Sequence, residues 1–325
     1  MPSPLRARLQ QQLQWTYEIE RELGGGGSSQ VFLATDVALQ RSVVLKVLPP
    51  ELSADVDAER FRREIQFAAR LQHPHLVPLL TASPVTADGD GSELRWYTMP
   101  YIEGHTLREL LVRRGVPPYA EAIRLLREMA LALAYAHGRG VVHRDIKPEN
   151  VLLNDGIAMI SDFGVAKALD DASDAALRSG RRVTTVSTML GTPQYMAPEQ
   201  INAAHVVDHR ADLYAFGCVA YELLTGAPPF ARTSLRATLA AHLGDTPVPI
   251  QQLRPDVPPA IADVVMRCLA KSLVARPASA SWIIRAIDGA NGPTPPATAA
   301  VPVRTVTVGV IVVLAAAAAL WTILR

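Results

Sequence analysis

Apolar residues change their spacing along this chain in a way that separates two kinds of structure. Between Tyr17 and Leu48 the runs "SQVFLAT" and "RSVVLKVL" are rich in β-branched and apolar side chains and are separated by "DVALQ". Such runs predict strands, because branched side chains pack well on a pleated surface. From Asp57 to Leu71 charged and apolar residues recur at helical spacing, which predicts a helix. "LVPLLTASPV" and "LRWYTMPYI" predict two more strands, joined by the turn-forming "TADGDG". Beyond Gly104 the helical period takes over, in "YAEAIRLLREMALALAYAHGRG" and in "ADLYAFGCVAYELLTG", which Gly226 and Pro228 bring to a stop. The pattern predicts an α+β chain of two lobes, a small strand-rich one over residues 15–101 and a larger helical one over 102–287.

The two ends break both patterns. Residues 1–14, "MPSPLRARLQQQLQ", read as a polar extension without the apolar stretch of a secretory signal. Residues 288–304, "DGANGPTPPATAAVPVR", are rich in Pro, Ala and Gly without periodicity and predict a linker. Residues 305–324, "TVTVGVIVVLAAAAALWTIL", follow without a charge, bracketed by Arg304 and Arg325. At about 1.5 Å per residue such a helix is about 30 Å long, the thickness of a bilayer's hydrocarbon core. One transmembrane helix is therefore expected, holding the folded part near a membrane.

Charge narrows the choice of partners. Lys and Arg number 32 against 31 Asp and Glu, a net of +1, so nothing points to nucleic acid as a bulk electrostatic partner. Cys218 and Cys268 each lie in an apolar stretch, and neither a CxxC pair nor a Cys/His cluster is present for structural zinc. Both read as small core residues in a reducing compartment.

The chemistry concentrates in two short stretches. "VVHRDIKPENVLL" carries Asp145, Lys147 and Asn150 within six residues, and "ISDFGVAK" adds Asp162 between a short apolar run and a glycine. Two carboxylates, an amide and a lysine supply what phosphoryl transfer needs: hard oxygen ligands for Mg²⁺, a base, and a cation for the phosphate. Upstream, "RELGGGGSSQVFLATD" admits two readings, a flexible Gly/Ser spacer or a backbone shaped to lie on phosphate.

In these motifs the chain resembles the protein kinase family, and within it the bacterial, membrane-anchored, Hanks-type (PknB-like) serine/threonine kinases. The resemblance covers about Tyr17 to Ile287: "LGGGGSSQV", "VVLK", "FRREI", "HRDIKPEN", "DFG", "GTPQYMAPEQ" and "DLYAFG" occur in the family's order. It implies a bilobal kinase fold, with the transmembrane helix as an addition, and ATP with Mg²⁺ (or Mn²⁺) as cofactors. It also turns the glycine stretch into the loop that lies on phosphates, with Gly24 and Gly26 at the first two family glycines. Ser29 stands where the third is usual.

The roles implied are as follows. Leu23, Gly24, Gly25, Gly26, Gly27, Ser28, Ser29 and Val31 cover the nucleotide, and Lys46 holds its phosphates, kept in place by Glu64. Met99 lines the back of the adenine pocket, and Ile102 donates its N–H there, so that Pro100 in the hinge costs nothing. Asp145 receives or orients the substrate hydroxyl's proton, Lys147 stabilises the transferred phosphoryl group, and Asn150 and Asp162 hold Mg²⁺. Lysine stands at only four positions, 46, 147, 167 and 271, and two of them fall on the family's two catalytic lysines. His143 and Phe163 are expected as core side chains that shape the site. Asp212 is expected to be structural, as is Arg276, the ion-pair partner of Glu199.

Lys147 in "DIKPEN" and Thr192 in "GTPQY" fit the serine/threonine class. Thr184, Thr185, Ser187 and Thr188, in the long polar stretch before Gly191, are the candidate phosphorylation sites, with Thr184 or Thr185 preferred. Arg144 and Lys167 are the expected partners of that phosphate. The implied partners are ATP, protein substrates bearing serine or threonine, a membrane, and a second copy for autophosphorylation in trans, with the kinase facing the cytoplasm. Two other readings compete. A catalytically silent nucleotide-binding scaffold usually loses the lysine or one of the two aspartates, all kept here, and a small-molecule phosphotransferase normally lacks the "APE" segment.

Overall fold

The computed structural model describes residues 4–26, 29–48, 65–84, 94–163, 193–202 and 207–291. The chain divides into two units, Met1–Ala290 and Asn291–Arg325, and the fold lies in the first. It has the two lobes that the residue pattern predicts. Strands β1 (Tyr17–Gly26), β2 (Ser29–Asp36), β3 (Arg41–Val47), β4 (Thr81–Pro84) and β5 (Arg95–Pro100) form an antiparallel sheet of order β1-β2-β3-β5-β4. Its inner face buries Tyr17, Ile19, Phe32, Leu45, Leu94 and Trp96 in one cluster. Alternate residues of each strand supply these side chains, as a sheet covered on one face requires.

Within the polar extension expected over residues 1–14, residues 4–13 form a helix that packs on this lobe. Helix α1 (Pro4–Leu13) places Leu5, Leu9 and Leu13 against the sheet cluster, with Leu9 and Leu13 buried. These leucines recur every four residues and so form one face of a helix. The adjoining flank of the helix carries Arg6 and Gln10, which bond β1's backbone. The Gln10 amide donates to Tyr17 O and accepts from Ile19 N at 2.7 Å, while Arg6 donates to Ile19 O and Glu20 O.

The second lobe opens with β6 (His105–Thr106) and α2 (Leu107–Arg114). Thr106 Oγ1 caps the Glu109 N–H, and the Glu109 carboxylate returns to Thr106 N. This reciprocal pair satisfies two of the helix's free donors. Helix α3 (Tyr119–His137) leads to β7 (Val151–Asn154) and β8 (Ile157–Ile160), which with β6 make a three-stranded sheet of order β6-β7-β8. The rest is helical: α4 (Pro198–Ile201), α5 (Arg210–Thr225), α6 (Leu235–Gly244), α7 (Ile250–Leu253), α8 (Pro259–Cys268) and α9 (Ala280–Asn291). Helix α5 runs through the core, with nearly every residue from Ala211 to Leu224 buried. Gly217 is what lets α8 approach it, because a Cβ there would stand 2.7 Å from Cys268 Cβ. Cys218 and Cys268 are both free and buried.

Residues 288–291, expected at the start of a linker, are the end of α9, where Arg127 of α3 holds Asp288 through two hydrogen bonds of 2.6 and 3.1 Å. Among the described residues no helix is long and apolar enough to cross a membrane; residues 305–324 lie outside them.

One buried histidine predicts a pH dependence. His242 in α6 is fully buried, meets Tyr214 Oη at 2.9 Å through Nδ1, and is pushed down from 6.5 to about 4 by burial and by the Lys271 charge. The unfolded chain takes up this proton at higher pH than the folded one. Its stabilising contribution is therefore complete above about pH 6.5 and is lost as the pH falls toward about 4. Thermal unfolding of His242→Asn is expected to fall less steeply than the parent across that window, and parallel curves would exclude His242 as a source of acid lability.

Candidate active site

The stretch between α3 and β7 is irregular, so its backbone needs partners from elsewhere. Asp212, in the first turn of α5, provides them. Its carboxylate accepts from His143 N at 2.8 Å, Arg144 N at 2.7 Å and His137 Nε2 at 2.8 Å. Burial alone would raise the Asp212 pKa, but the His137 hydrogen bond and the neighbouring imidazoles hold it below the usual range. His143 pins the other side. Its Nδ1 accepts from Asp145 N at 3.1 Å, so Nε2 carries the proton and donates to Ser161 O at 2.7 Å. Phe163 packs edge-on against the same ring, centroids 4.5 Å apart. Arg144 and Asp162 both sit at left-handed backbone angles, φ 69° and 67°. For side-chain-bearing residues this costs about 1–3 kcal/mol and persists only where the surroundings hold it.

Held this way, the polar side chains form one hydrogen-bonded chain. Lys147 Nζ donates to Asp145 Oδ2 at 2.7 Å, and Asn150 Nδ2 donates to Asp145 O and Oδ2 at 2.8 and 3.1 Å. Ser161 N donates to Asn150 O, and Ser161 Oγ to Asp162 Oδ2 at 2.9 Å. Lys46, reaching down from β3 in the other lobe, donates to the same Oδ2 at 2.6 Å, across 116 residues of sequence. Tyr97 on β5 donates to Asp162 Oδ1 at 2.7 Å. Burial opposes ionisation of Asp162, yet the Lys46 charge and the bonds from Lys46, Tyr97 and Ser161 outweigh it and hold the carboxyl down at about 2. Burial and the Asp162 charge push the Tyr97 phenol well above 10, so it remains a donor.

Beside this chain lies an apolar cluster. Val44, Val77 and Met99 form a small buried cluster, with Val31, Ile102 and Leu152 packed against it from both lobes. The glycine stretch borders it as the end of a hairpin: Gly24 pairs with Val31, Gly25 with Gln30 and Gly26 with Ser29, while Val31 pairs with Lys46. Gly24–Gly26 and Ser29 are therefore strand, not spacer. Gly24 has φ 138°, a conformation that side-chain-bearing residues rarely adopt. Leu23 is more than a third exposed on β1.

Several expected site residues lie outside the described ones: Gly27, Ser28, Glu64, Lys167, Thr184, Thr185, Ser187, Thr188 and Thr192. The partner described for Lys46 is Asp162. Arg276 forks onto Glu199 with two bonds of 2.7 and 2.8 Å.

Sequence reasoning missed four contributors. Tyr97 was readable, since it stands two residues before Met99 and strand alternation puts both on one face. Ser161 was adjacent to a named residue. Arg108 and Tyr195 left no sequence signal. Arg108 joins Glu149, next to Asn150, at 2.8 Å to Glu222 of α5 at 2.6 Å, and bonds the Tyr195 hydroxyl, tying α2, the Asp145 segment and α5 together.

The donors present suit a divalent cation that arrives with phosphates. Asp162 is ionised, and the Asn150 amide nitrogen is turned to Asp145, which leaves its oxygen as a donor. Among the described residues no cluster of three or more His, Cys, Asp or Glu forms a metal centre. Mg²⁺ is commonly bound by one or two protein oxygens together with substrate phosphates, and this donor set fits that mode.

The chain is similar to known proteins in sequence and fold. Residues 17–285 match the family model described as "Protein kinase domain". The chain is 39% identical over 264 residues to the serine/threonine-protein kinase PknB of Mycolicibacterium smegmatis, covering 81% of this chain and 41% of that protein. It is 36% identical over 274 residues to the serine/threonine-protein kinase pkn3 of Myxococcus xanthus, covering 82% and 48%. The chain thus spans less than half the length of these curated relatives. The crystal structure of the Mycobacterium tuberculosis PknI kinase domain superposes with a TM-score of 0.63 at 31% identity, covering 84% of this chain and 96% of that one. By its sequence, its bilobal fold and the residues gathered between its lobes, the chain belongs to the protein kinase family.

Proposed function

We propose that the chain is a serine/threonine protein kinase that transfers the γ-phosphoryl group of ATP, with Mg²⁺ or Mn²⁺, to protein hydroxyls and to its own activation segment. The observation that carries this reading is the meeting of Lys46 with Asp162 at 2.6 Å, beside the apolar cluster and at one end of the chain that leads to Asp145. The apolar cluster takes the adenine, and Lys46 and the β1–β2 hairpin take the phosphates. The bound metal nucleotide supplies the transferable group and neutralises its charge. Lys147 and Asn150 both bond Asp145 Oδ2. That leaves Oδ1 as the oxygen to receive or orient the substrate hydroxyl's proton, and Lys147 lies beside the group in flight. Such transfer is mostly positioning and charge stabilisation, which a set of preorganised side chains provides.

Residues 305–324 anchor the enzyme as a single-pass membrane protein with the kinase in the cytoplasm, and two anchored copies phosphorylate one another's activation segments, Thr184 or Thr185 first. The uncharged 20-residue run supports the anchor. A silent scaffold is not favoured, since Lys46, Asp145 and Asp162 are all present. The test is label transfer from γ-labelled ATP, followed by phosphoamino-acid analysis and dilution. Metal-dependent phosphoserine and phosphothreonine are expected, at a per-molecule rate that falls on dilution of a fragment ending at Asn291. Absence of label in a folded, nucleotide-binding preparation would reject the enzyme, and a dilution-independent rate would reject transfer between copies.

A further inference from the structure

A carboxylate offers about four lone-pair positions. Among the described residues three are occupied at Asp162: Oδ2 accepts from Lys46 Nζ and Ser161 Oγ, and Oδ1 accepts from the Tyr97 hydroxyl. The remaining position is the second lone pair of Oδ1, beside the Tyr97 bond. We propose that Tyr97 is a positioning residue for the metal site, whose hydroxyl turns the Asp162 carboxylate so that this last lone pair faces the cation. The inference rests on the kinase reading, in which Asp162 is a metal ligand.

The sheet explains why Tyr97 can do this. Lys46 on β3 and Tyr97 on β5 are directly opposite each other in the antiparallel pairing. Opposed residues point to the same face with Cβ atoms about 4.5–5.5 Å apart. The two side chains therefore descend as a fork and take one carboxylate oxygen each. Without Tyr97 the remaining donors, Lys46 and Ser161, would both hold Oδ2 and leave Oδ1 to swing about the last torsion, which is broad for this residue type. The second prong fixes it. Tyr97 is only 3% exposed, so water has little access to take over its hydrogen bond.

Groups that orient a metal ligand typically change metal affinity by about 10–100-fold when removed. In the full-length protein, binding of a non-hydrolysable ATP analogue is measured by calorimetry as Mg²⁺ is titrated. Tyr97→Phe keeps the ring and removes only the donor. It is expected to raise the Mg²⁺ concentration for half-maximal binding by about 10–100-fold, with the melting temperature and the affinity for metal-free analogue in EDTA close to those of the parent. A role in packing alone would move those two quantities and spare the metal requirement. An unchanged or lowered Mg²⁺ requirement overturns the proposal. Asp162→Asn separates the levels. If it abolishes the metal dependence while Tyr97→Phe does not change it, only the positioning role fails; if it too has no effect, the kinase reading fails.

Discussion

Asp145→Asn is expected to slow phosphoryl transfer by about 10²–10⁴-fold, the usual worth of a positioned proton acceptor, while nucleotide uptake stays nearly intact. The geometry separates the two effects. Asp145 belongs to the segment pinned by Asp212 and His143, whereas the apolar cluster is formed by Val31, Val44, Met99, Ile102 and Leu152. The asparagine has almost the same shape, its main chain still accepts from Asn150, and its side-chain oxygen can still meet Lys147. What it loses is the ability to take a proton at Oδ1. The comparison needs the label-transfer rate and the analogue's dissociation constant for both proteins. Equal rates would remove Asp145 from the reaction and point to a contaminating kinase as the source of label.

The second large effect concerns stability. Glu199→Ala leaves the Arg276 guanidinium, whose side chain is 0% exposed, without its counter-charge. Arg276 keeps its bonds to Ala270 O at 2.8 Å and Arg210 O at 2.9 Å and its stacking on Tyr214, so it cannot readily escape to water. Breaking a buried pair from one side costs about 3–5 kcal/mol. For a domain of this size that lowers the melting temperature by roughly 10 °C. The matching double change, Glu199→Ala with Arg276→Met, removes the stranded charge and is expected to melt above Glu199→Ala alone. A loss below about 1 kcal/mol for the single change, typical of exposed pairs, would show that the bridge does not hold the Pro198 segment to the helical lobe.

Much of this molecule is written in local pattern. The strands of the small lobe and helices α3 and α5 follow from the spacing of apolar residues, and Asp145, Lys147, Asn150 and Asp162 stand in two short stretches whose residue types name their chemistry. What was not legible has a common cause. Helix α1 is rich in glutamine and arginine, and its three leucines gain meaning only against a sheet that begins at Tyr17. The end of α9 is held by Arg127, far away in sequence, so composition alone placed the boundary too early. Arg108, Glu149, Tyr195 and Glu222 form a network from four separate segments, and hydrogen bonds between distant residues leave no period to read.

Helix α1 also changes how the small lobe meets other molecules. β1 is an outermost strand, and its outward backbone groups at Tyr17, Ile19 and Glu20 are already taken by Gln10 and Arg6. The Gln10 amide, giving one hydrogen bond and receiving another, does what a neighbouring strand would do. A chain trimmed to begin at Tyr17 would bare that ladder together with the apolar patch under Leu9 and Leu13, and open strand edges are where sheets recruit foreign strands and aggregate. Helix α1 stands along that edge like a guard rail.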